Sequence, residues 1–111
     1  MTVAPARLVS SSVLGTTAIS YYTSTNAMTR IDACALTNTG SATVTATIYL
    51  VPSGDTAGSA NCVMKSRSIT AGQTVLVSGA IGQWIDTNGS LQALASAGGT
   101  LTLVASGVVY S

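Results

Sequence analysis

The chain lacks most of the residues that carry enzyme chemistry. It has no histidine and no glutamate, and its three acidic residues are aspartates. A serine nucleophile needs a neighbouring base, and Lys65, the one candidate, has no serine–lysine motif around it. Glycoside hydrolysis needs two carboxylates about 5–10 Å apart, whereas Asp32, Asp55 and Asp86 lie in separate segments. We therefore expect no enzymatic activity and no cofactor.

Cysteine is also scarce, with only Cys34 and Cys62 in the chain. Two cysteines without histidine cannot form an ordinary zinc site, so we expect no bound metal. A disulfide would be consistent with the pair, but it needs an oxidising compartment. The N-terminus lacks the charged and apolar regions of a signal peptide. The sequence therefore predicts two free thiols in a protein made in a cytosol.

Charge is low: only 6% of residues are charged and the net charge is +1, whereas a globular domain usually has about 25% charged residues. No basic patch is present to hold phosphates, so we expect no nucleic-acid partner. No apolar run approaches the ~18 residues of a membrane span. Serine and threonine replace ionic groups on the surface, which leaves little repulsion between copies. This composition favours an assembly component, the alternative being a monomer solubilised by hydroxyl groups.

The clearest secondary-structure signal is the segment from Ser41 to Gly54. Between residues 43 and 50, threonine and Tyr49 occupy the odd-numbered positions, and apolar residues occupy the even-numbered positions. Strict alternation of β-branched residues predicts a half-buried antiparallel strand. We expect Val44, Ile48 and Leu50 to face the core. Pro52 and the turn residues after it end the strand.

Similar segments recur along the chain and predict about eight short strands. They are Arg7–Leu14, Thr16–Thr23, Arg30–Thr37, Ser41–Gly54, Asn61–Ser68, Gln73–Ser78, Ser90–Ala95 and Thr100–Tyr110. The segment 90–95 could also form a helical turn because it contains leucine and alanine. Asn88-Gly89 predicts a type I′ hairpin, and Gly82 and Gly107 are candidate bulges. The number and spacing of strands predict an all-β, single antiparallel β-sandwich of the jelly-roll kind.

Parity assigns further side chains to the core. Between Arg30 and Thr37 the pattern is ambiguous, and we place Cys34 and Leu36 inward because they are the larger apolar pair. Tyr21 and Tyr22 are adjacent, so we expect only one of them to reach the core. Cys62 and Met64 are also predicted to face inward, and Leu101, Leu103 and Ala105 are predicted to share one face of the last strand.

The N-terminal residues 1–6 are predicted to form an arm outside the β-sandwich domain, which would span residues 7–111. Pro5 cannot occupy a central strand, and the segment has no partner within itself. Among the few aromatic residues, Tyr49 lies on the threonine face and Trp84 is adjacent to Ile85. These two are the candidate interface or ligand aromatics. A cross-strand pair for Tyr49 and a core position for Trp84 are the structural alternatives.

Four segments of the chain resemble small β-rich virion proteins of tailed bacteriophages. They are APARLVSSSVL, TNTGSATVTATIYLVPSG, DTAGSANCVMKSRSITAGQ and LQALASAG, and the resemblance extends over most of the chain. Some proteins of this group resemble capsid decoration proteins, which bind the expanded head from outside as trimers. Others resemble tail-fibre or tail-tip components.

The resemblance implies a non-enzymatic protein on the capsid surface of a virion, made in the host cytoplasm. Its implied partners are the major capsid protein and further copies of itself, as a homotrimer. It also implies that the arm contacts the shell, through Thr2, Val3, Ala4, Pro5 and Ala6. The alternative is a tail-associated receptor-binding or glycan-binding β-sandwich. A departure from the group is that this chain has no strongly charged surface to steer docking.

Overall fold

Nine strands form almost all of the regular structure in the computed structural model, which describes residues 2–111. A 3₁₀ turn at Ser59–Asn61 is the one helical element within that range, so no helix there is long enough to cross a membrane. The strands are β1 (Val3–Val13), β2 (Ile19–Thr23), β3 (Met28–Asn38), β4 (Val44–Val51), β5 (Cys62–Ile69), β6 (Thr74–Leu76), β7 (Trp84–Ile85), β8 (Ser90–Ala95) and β9 (Leu101–Tyr110).

The strands form two antiparallel sheets. The first, called here the β9 sheet, has the order β1-β9-β3-β6, and β7 also pairs with β3. The second, the β4 sheet, has the order β2-β8-β4-β5. β6 pairs with Ala35–Thr37 and β7 with Thr29–Arg30, and β9 takes the other edge of β3, so β6 and β7 share one position.

The strands pair in a nested order: β1 with β9, β2 with β8, β3 with β6 and β7, and β4 with β5. This is the folded antiparallel ribbon of a jelly roll. The predicted all-β sandwich is confirmed, with nine strands instead of about eight. The additional strand is β7, which is only two residues long and follows the positive-φ residue Gly82.

The core lies between the sheets and follows the predicted alternation in β4 and β9. Val44 and Ile48 are buried, and so are Leu101, Leu103 and Ala105. Leu50 is half-buried but packs against the core.

A bulge in β3 explains the ambiguous parity of that strand. Ile31 pairs with Gly107 and Ala33 pairs with Ser106, so Asp32 is an additional residue on β3. The insertion reverses the alternation. Ile31, Cys34 and Leu36 are therefore all buried, although Ile31 and Cys34 have opposite parity. The inward positions of Cys34 and Leu36 are confirmed.

A bulge also changes β5. Ser66 has a positive φ of 47°, and its N–H donates a hydrogen bond to the hydroxyl of buried Thr47 in β4 at 3.0 Å. Met64 packs against the core as predicted but is only half-buried, because β5 lies at the edge of its sheet. The prediction that Cys62 faces the core is wrong: a second register shift pairs Cys62 with Tyr49 on the outward side of the β4 sheet, and Val63 packs against the core instead. Both cysteines are free thiols, as predicted.

The prediction that only one of Tyr21 and Tyr22 reaches the core is wrong. A register shift between Ser20 and Tyr22 interrupts the alternation in β2, so both rings pack against the core. The Tyr21 hydroxyl accepts a hydrogen bond from the backbone N–H of Gly15 at 3.1 Å. The Tyr22 hydroxyl hydrogen-bonds the Thr29 hydroxyl at 2.9 Å, which links β2 to β3 across the two sheets.

The predicted unpaired arm is also wrong for the residues that the structure describes; Met1 lies outside them. Val3–Ala6 form the beginning of β1 and pair with residues 107–110 of β9. Thr2 and Ser111 exchange two backbone hydrogen bonds, so Pro5 falls at a position whose N–H would point away from β9. Proline therefore costs no ladder bond there, because β1 is an edge strand.

Asn88-Gly89 does not close a hairpin, because β7 and β8 lie in different sheets. Asn88 has a positive φ, as a type I′ turn requires, but Gly89 does not. Their backbone instead pairs with the turn after β2: the Asn88 N–H donates to the Ser24 carbonyl at 2.7 Å, and the Ser24 N–H donates to the Gly89 carbonyl at 2.9 Å. The Asn88-Gly89 backbone therefore stabilises the connection that crosses from the β9 sheet to the β4 sheet.

We predict that Ile48→Ala destabilises the domain. Ile48 is fully buried in the core, and truncation of such a residue typically costs about 2–5 kcal/mol. Chemical denaturation measures the change in the free energy of unfolding. Thr45→Ala, on the outward side of the same strand, is the matched control and is expected to cost much less. Equal costs for the two variants would contradict the assignment of the faces.

We also predict different reactivities for the two thiols. Burial raises the pKa of Cys34 from 9.0 to about 11, and Cys62 is half-exposed. An alkylating reagent at pH 8 should modify Cys62 in the native protein, and Cys34 only after unfolding. Because the unfolded Cys34 thiol loses its proton first, the free energy of unfolding should fall as pH rises from about 9 to about 11. Mass spectrometry that finds no modification after denaturation would indicate a disulfide.

Candidate interaction surface

Most of the exposed large apolar side chains lie on one surface, the outward side of the β9 sheet, called here the β9 face. Between residues 2 and 111, seven such side chains are exposed, and the strand register directs all of them except Ile19 to this face. The six are Val3, Val13, Met28, Leu76, Trp84 and Val104. Soluble monomers rarely concentrate exposed apolar groups in this way.

Strand pairing brings these residues together from distant parts of the sequence. Leu76 of β6 and Val104 of β9 flank Ala35 of β3 at one level. Val3 of β1 and Met28 of β3 flank Tyr110 of β9 at another. The face therefore depends on long-range pairing.

A polar and aromatic cluster lies near one end of the β9 face. The Arg30 guanidinium donates from Nε to Asp32 Oδ1 at 2.8 Å and from Nη1 to the Tyr110 hydroxyl at 3.1 Å. Its hydrogen bond with the Asp32 carboxylate, together with the charge, raises the pKa of Arg30. The rings of Trp84 and Tyr110 are 5.2 Å apart and tilted by 45°. The cluster combines stacking surface with fixed hydrogen-bonding groups.

An open cleft of about 440 Å³ lies beside this cluster. It forms at the level where β1 and β3 both change register against β9, between Arg7 and Val9 and between Ile31 and Ala33. Arg7 lies on one wall and Asp32 on the other, and Ser106, Gly107 and Val108 form the floor.

Gly107 is required by a close approach of the strands. A Cβ atom there would collide with the Arg30 carbonyl oxygen. The sequence predicted a bulge at Gly107. The bulges lie beside Gly107 in the neighbouring strands β1 and β3, and not at Gly107 itself.

The β9 face contains part of the predicted site. Val3, Pro5 and Trp84 share it. Ala4 and Ala6 alternate with Val3 and Pro5 and so point to the other side, where Ala6 packs against the core; Thr2 precedes β1 and is exposed. Tyr49 lies in the β4 sheet, half-buried and paired with Cys62 and Gln92.

Sequence reasoning missed several residues of the face. Val104, Val108 and Tyr110 could have been found, because the alternation that puts Leu101, Leu103 and Ala105 in the core directs them outward. Arg30, Asp32 and Met28 had no such signal, because the bulge in β3 decides where they point.

The acidic side chains lie apart from one another in the described part of the chain. Within residues 2–111, no group of three or more histidine, cysteine, aspartate or glutamate side chains is arranged to hold a metal ion. Asp32 lies in β3, Asp55 lies in the loop after β4 and Asp86 follows β7. The β9 face offers apolar contact, aromatic stacking and a few charged hydrogen bonds.

No family model matches the chain, and no curated protein matches it. Among solved structures, it is similar to a chain in one described as the structure of infectious bursal disease virus Gx strain, with a TM-score of 0.46 and 20% sequence identity. The match covers 97% of this chain and 30% of that chain, so this chain spans less than a third of its neighbour's length. So distant a likeness assigns no function, which has to be inferred from this chain's own topology and surface.

We predict that Gly107→Ala destabilises the domain, because the methyl group would collide with the Arg30 carbonyl. Such overpacking typically costs about 1–3 kcal/mol. Gly98→Ala is the matched control, since a Cβ atom at Gly98 meets nothing within 4 Å. Thermal unfolding should show a lower midpoint for the first variant only. An unchanged midpoint for Gly107→Ala would mean that β3 and β9 are not so closely paired.

Proposed function

We propose that the chain is a non-enzymatic structural protein of a tailed-bacteriophage virion and acts as a capsid decoration protein on the outside of the head. The observation that carries the proposal is a jelly-roll domain with one uncovered apolar sheet face and almost no charge. Jelly rolls are common in viral capsid proteins and in lectins. Since a fold alone does not give a function, the uncovered face is the stronger part of the argument.

The size of the face fits an assembly interface. Four strand positions ~4.8 Å apart and about ten residues at ~3.3 Å each give a sheet area on the order of 600 Å². Specific protein interfaces bury about 800 Å² on each partner, so the two areas are comparable. Arg7, Arg30 and Asp32 supply the charges on this face, and two of these already pair with each other.

The proposed mechanism is adhesive. Contacts among copies and with the major capsid protein would stabilise the assembled shell, because binding that occurs only in the assembled state shifts the equilibrium towards it. A closed homotrimer is the proposed ring, formed through strand edges. β2 has no charged residue to protect its edge, whereas β5 carries Lys65, Arg67 and a bulge.

Residues Thr2–Ala6 remain the proposed contact with the shell. Their backbone already pairs with β9 on one side, and Pro5 removes a donor from the free edge. Side-chain contact is therefore the better-supported route, and Thr2 and Ala4 are exposed and lie off the β9 face.

A second candidate function is a glycan-binding module of the phage tail. The tilted pair of Trp84 and Tyr110 beside Arg30 and Asp32 favours it, since sugars bind aromatic rings flanked by hydrogen-bonding groups. Tyr49 lies in the other sheet and cannot join this platform. Loss of glycan binding in Trp84→Ala but not in Tyr49→Ala would favour this function over decoration.

We predict that the purified protein co-sediments with expanded phage heads and that cryo-electron microscopy shows it on their outer surface. Ala4→Asp should weaken this binding, because it places a charge in the proposed shell contact but lies off the β9 face. Thr43→Asp is the matched control, since Thr43 is exposed before β4, away from residues 2–6. Density on the tail, or no binding to heads, would contradict the decoration role.

A further inference from the structure

We propose that the β9 face binds the β9 face of a second copy of this chain, with a two-fold axis that runs along β9. This inference rests on the proposal that the face is an assembly interface and names its occupant. Three features of the face support it: the positions of its opposite charges, the residues that the two-fold axis brings together, and the area available for contact.

The charges flank the central strand at one level. Arg7 in β1 pairs with Ser106 of β9. On the other side of β9, Asp32 bulges from β3 between Ile31, which pairs with Gly107, and Ala33, which pairs with Ser106. Arg7 and Asp32 are therefore separated by two strand spacings, about 10 Å. They form opposite walls of the same cleft.

Symmetry turns this arrangement into a self-complementary one. A two-fold axis along β9, in the plane of contact, exchanges left and right but keeps each level. It therefore sets Arg7 of each copy against Asp32 of the other, and the contact forms twice. An axis across the strands at this level would set Arg7 against Arg7 and Asp32 against Asp32. Like charges in contact disfavour that arrangement, so the charges select the axis along β9.

Arg7 and Asp32 both have hydrogen-bonding atoms free for this contact. Among the described residues, Arg30–Asp32 is the one ion pair, so Arg7 has no carboxylate partner within its own chain. The Asp32 carboxylate uses Oδ1 for Arg30, which leaves Oδ2 to accept from a second guanidinium. The cleft between them gives the long Arg7 side chain room to extend.

The same axis matches apolar groups. β9 lies against β9, so Val104, Val108 and Tyr110 of the two copies meet along the axis. Val3 and Met28 flank Tyr110 on opposite sides, so each Val3 faces the Met28 of the other copy. Pro5 faces Arg30, whose aliphatic stem can pack against the ring. This axis therefore opposes no two like charges: Arg7 faces Asp32, and Arg30 faces Pro5.

The contact is large enough to form but small enough to depend on its charges. Overlap of β1, β9 and β3 covers three strand positions, which corresponds to a total on the order of 1,000 Å² over both copies. That is the lower end for specific interfaces. The β4 sheet, with Tyr49, remains uncovered in such a pair. If trimers also form through strand edges, the assembly contains six copies, so every complete assembly has an even number.

The test is charge exchange, measured without phage heads by sedimentation and native mass spectrometry at tens of micromolar. The wild-type protein should show an even number of copies. Arg7→Glu and Asp32→Lys should each weaken pairing by at least about tenfold, because each variant opposes like charges. An equimolar mixture of the two variants should restore it, since each contact then joins opposite charges. Lys65→Glu makes the same charge change on β5, off the face, and should have no effect.

Thermal unfolding checks that each variant is folded before its mass is interpreted. A wild-type monomer, or an odd-numbered assembly that Arg7→Glu leaves unchanged, would overturn the proposal. So would single variants that lose pairing but do not recover it when mixed. Head binding is measured separately with the wild-type protein. Head binding without pairing refutes only this inference, and pairing without head binding refutes only the decoration role.

Discussion

Gly107 allows the backbone of β3 to approach β9 more closely than any side chain would permit. The register of both neighbours of β9 changes at this level, through bulges in β1 and β3. Because a bulge reverses which residues face inward, this one level decides the composition of both sides of the sheet. It buries Ile31 together with Cys34, and it turns Asp32 outward opposite Arg7. The core and the polar centre of the β9 face therefore have the same cause.

The jelly-roll topology explains why one face carries the exposed apolar groups. Both sheets contribute one side to the core, and each has a second side that nothing in residues 2–111 covers as a layer. In the β4 sheet, threonines occupy part of the outward side. In the β9 sheet, the outward side includes Leu76, Trp84 and Val104. The two outward sides therefore differ in composition, although the fold gives the two sheets equivalent positions relative to the core.

Low charge has different consequences for faces and for edges. On the β9 face, a few charges can distinguish one arrangement of two copies from another, because like charges in contact are unfavourable. On the edges, charges and bulges protect β5, and Pro5 removes a donor from β1. β2 has no charged residue and no proline, and its one irregularity is the register shift between Ser20 and Tyr22. A protein with so few ionic groups can use each of them for a particular contact, which is consistent with a role in assembly.

Local alternation in the sequence was enough to determine the strands and the sides on which Val44, Ile48, Leu101 and Leu103 lie, because side-chain direction in a strand depends only on the neighbours in sequence. Eight of the nine strands and the sandwich class followed from it. The bulges, the pairing of Val3–Ala6 with β9 and the use of Asn88-Gly89 as a crossing between sheets were decided by tertiary structure. They depend on pairing between segments as far apart as Val3 and Tyr110. The β9 face belongs to this second group, since Val3, Trp84 and Tyr110 become neighbours only when the antiparallel ribbon closes on itself.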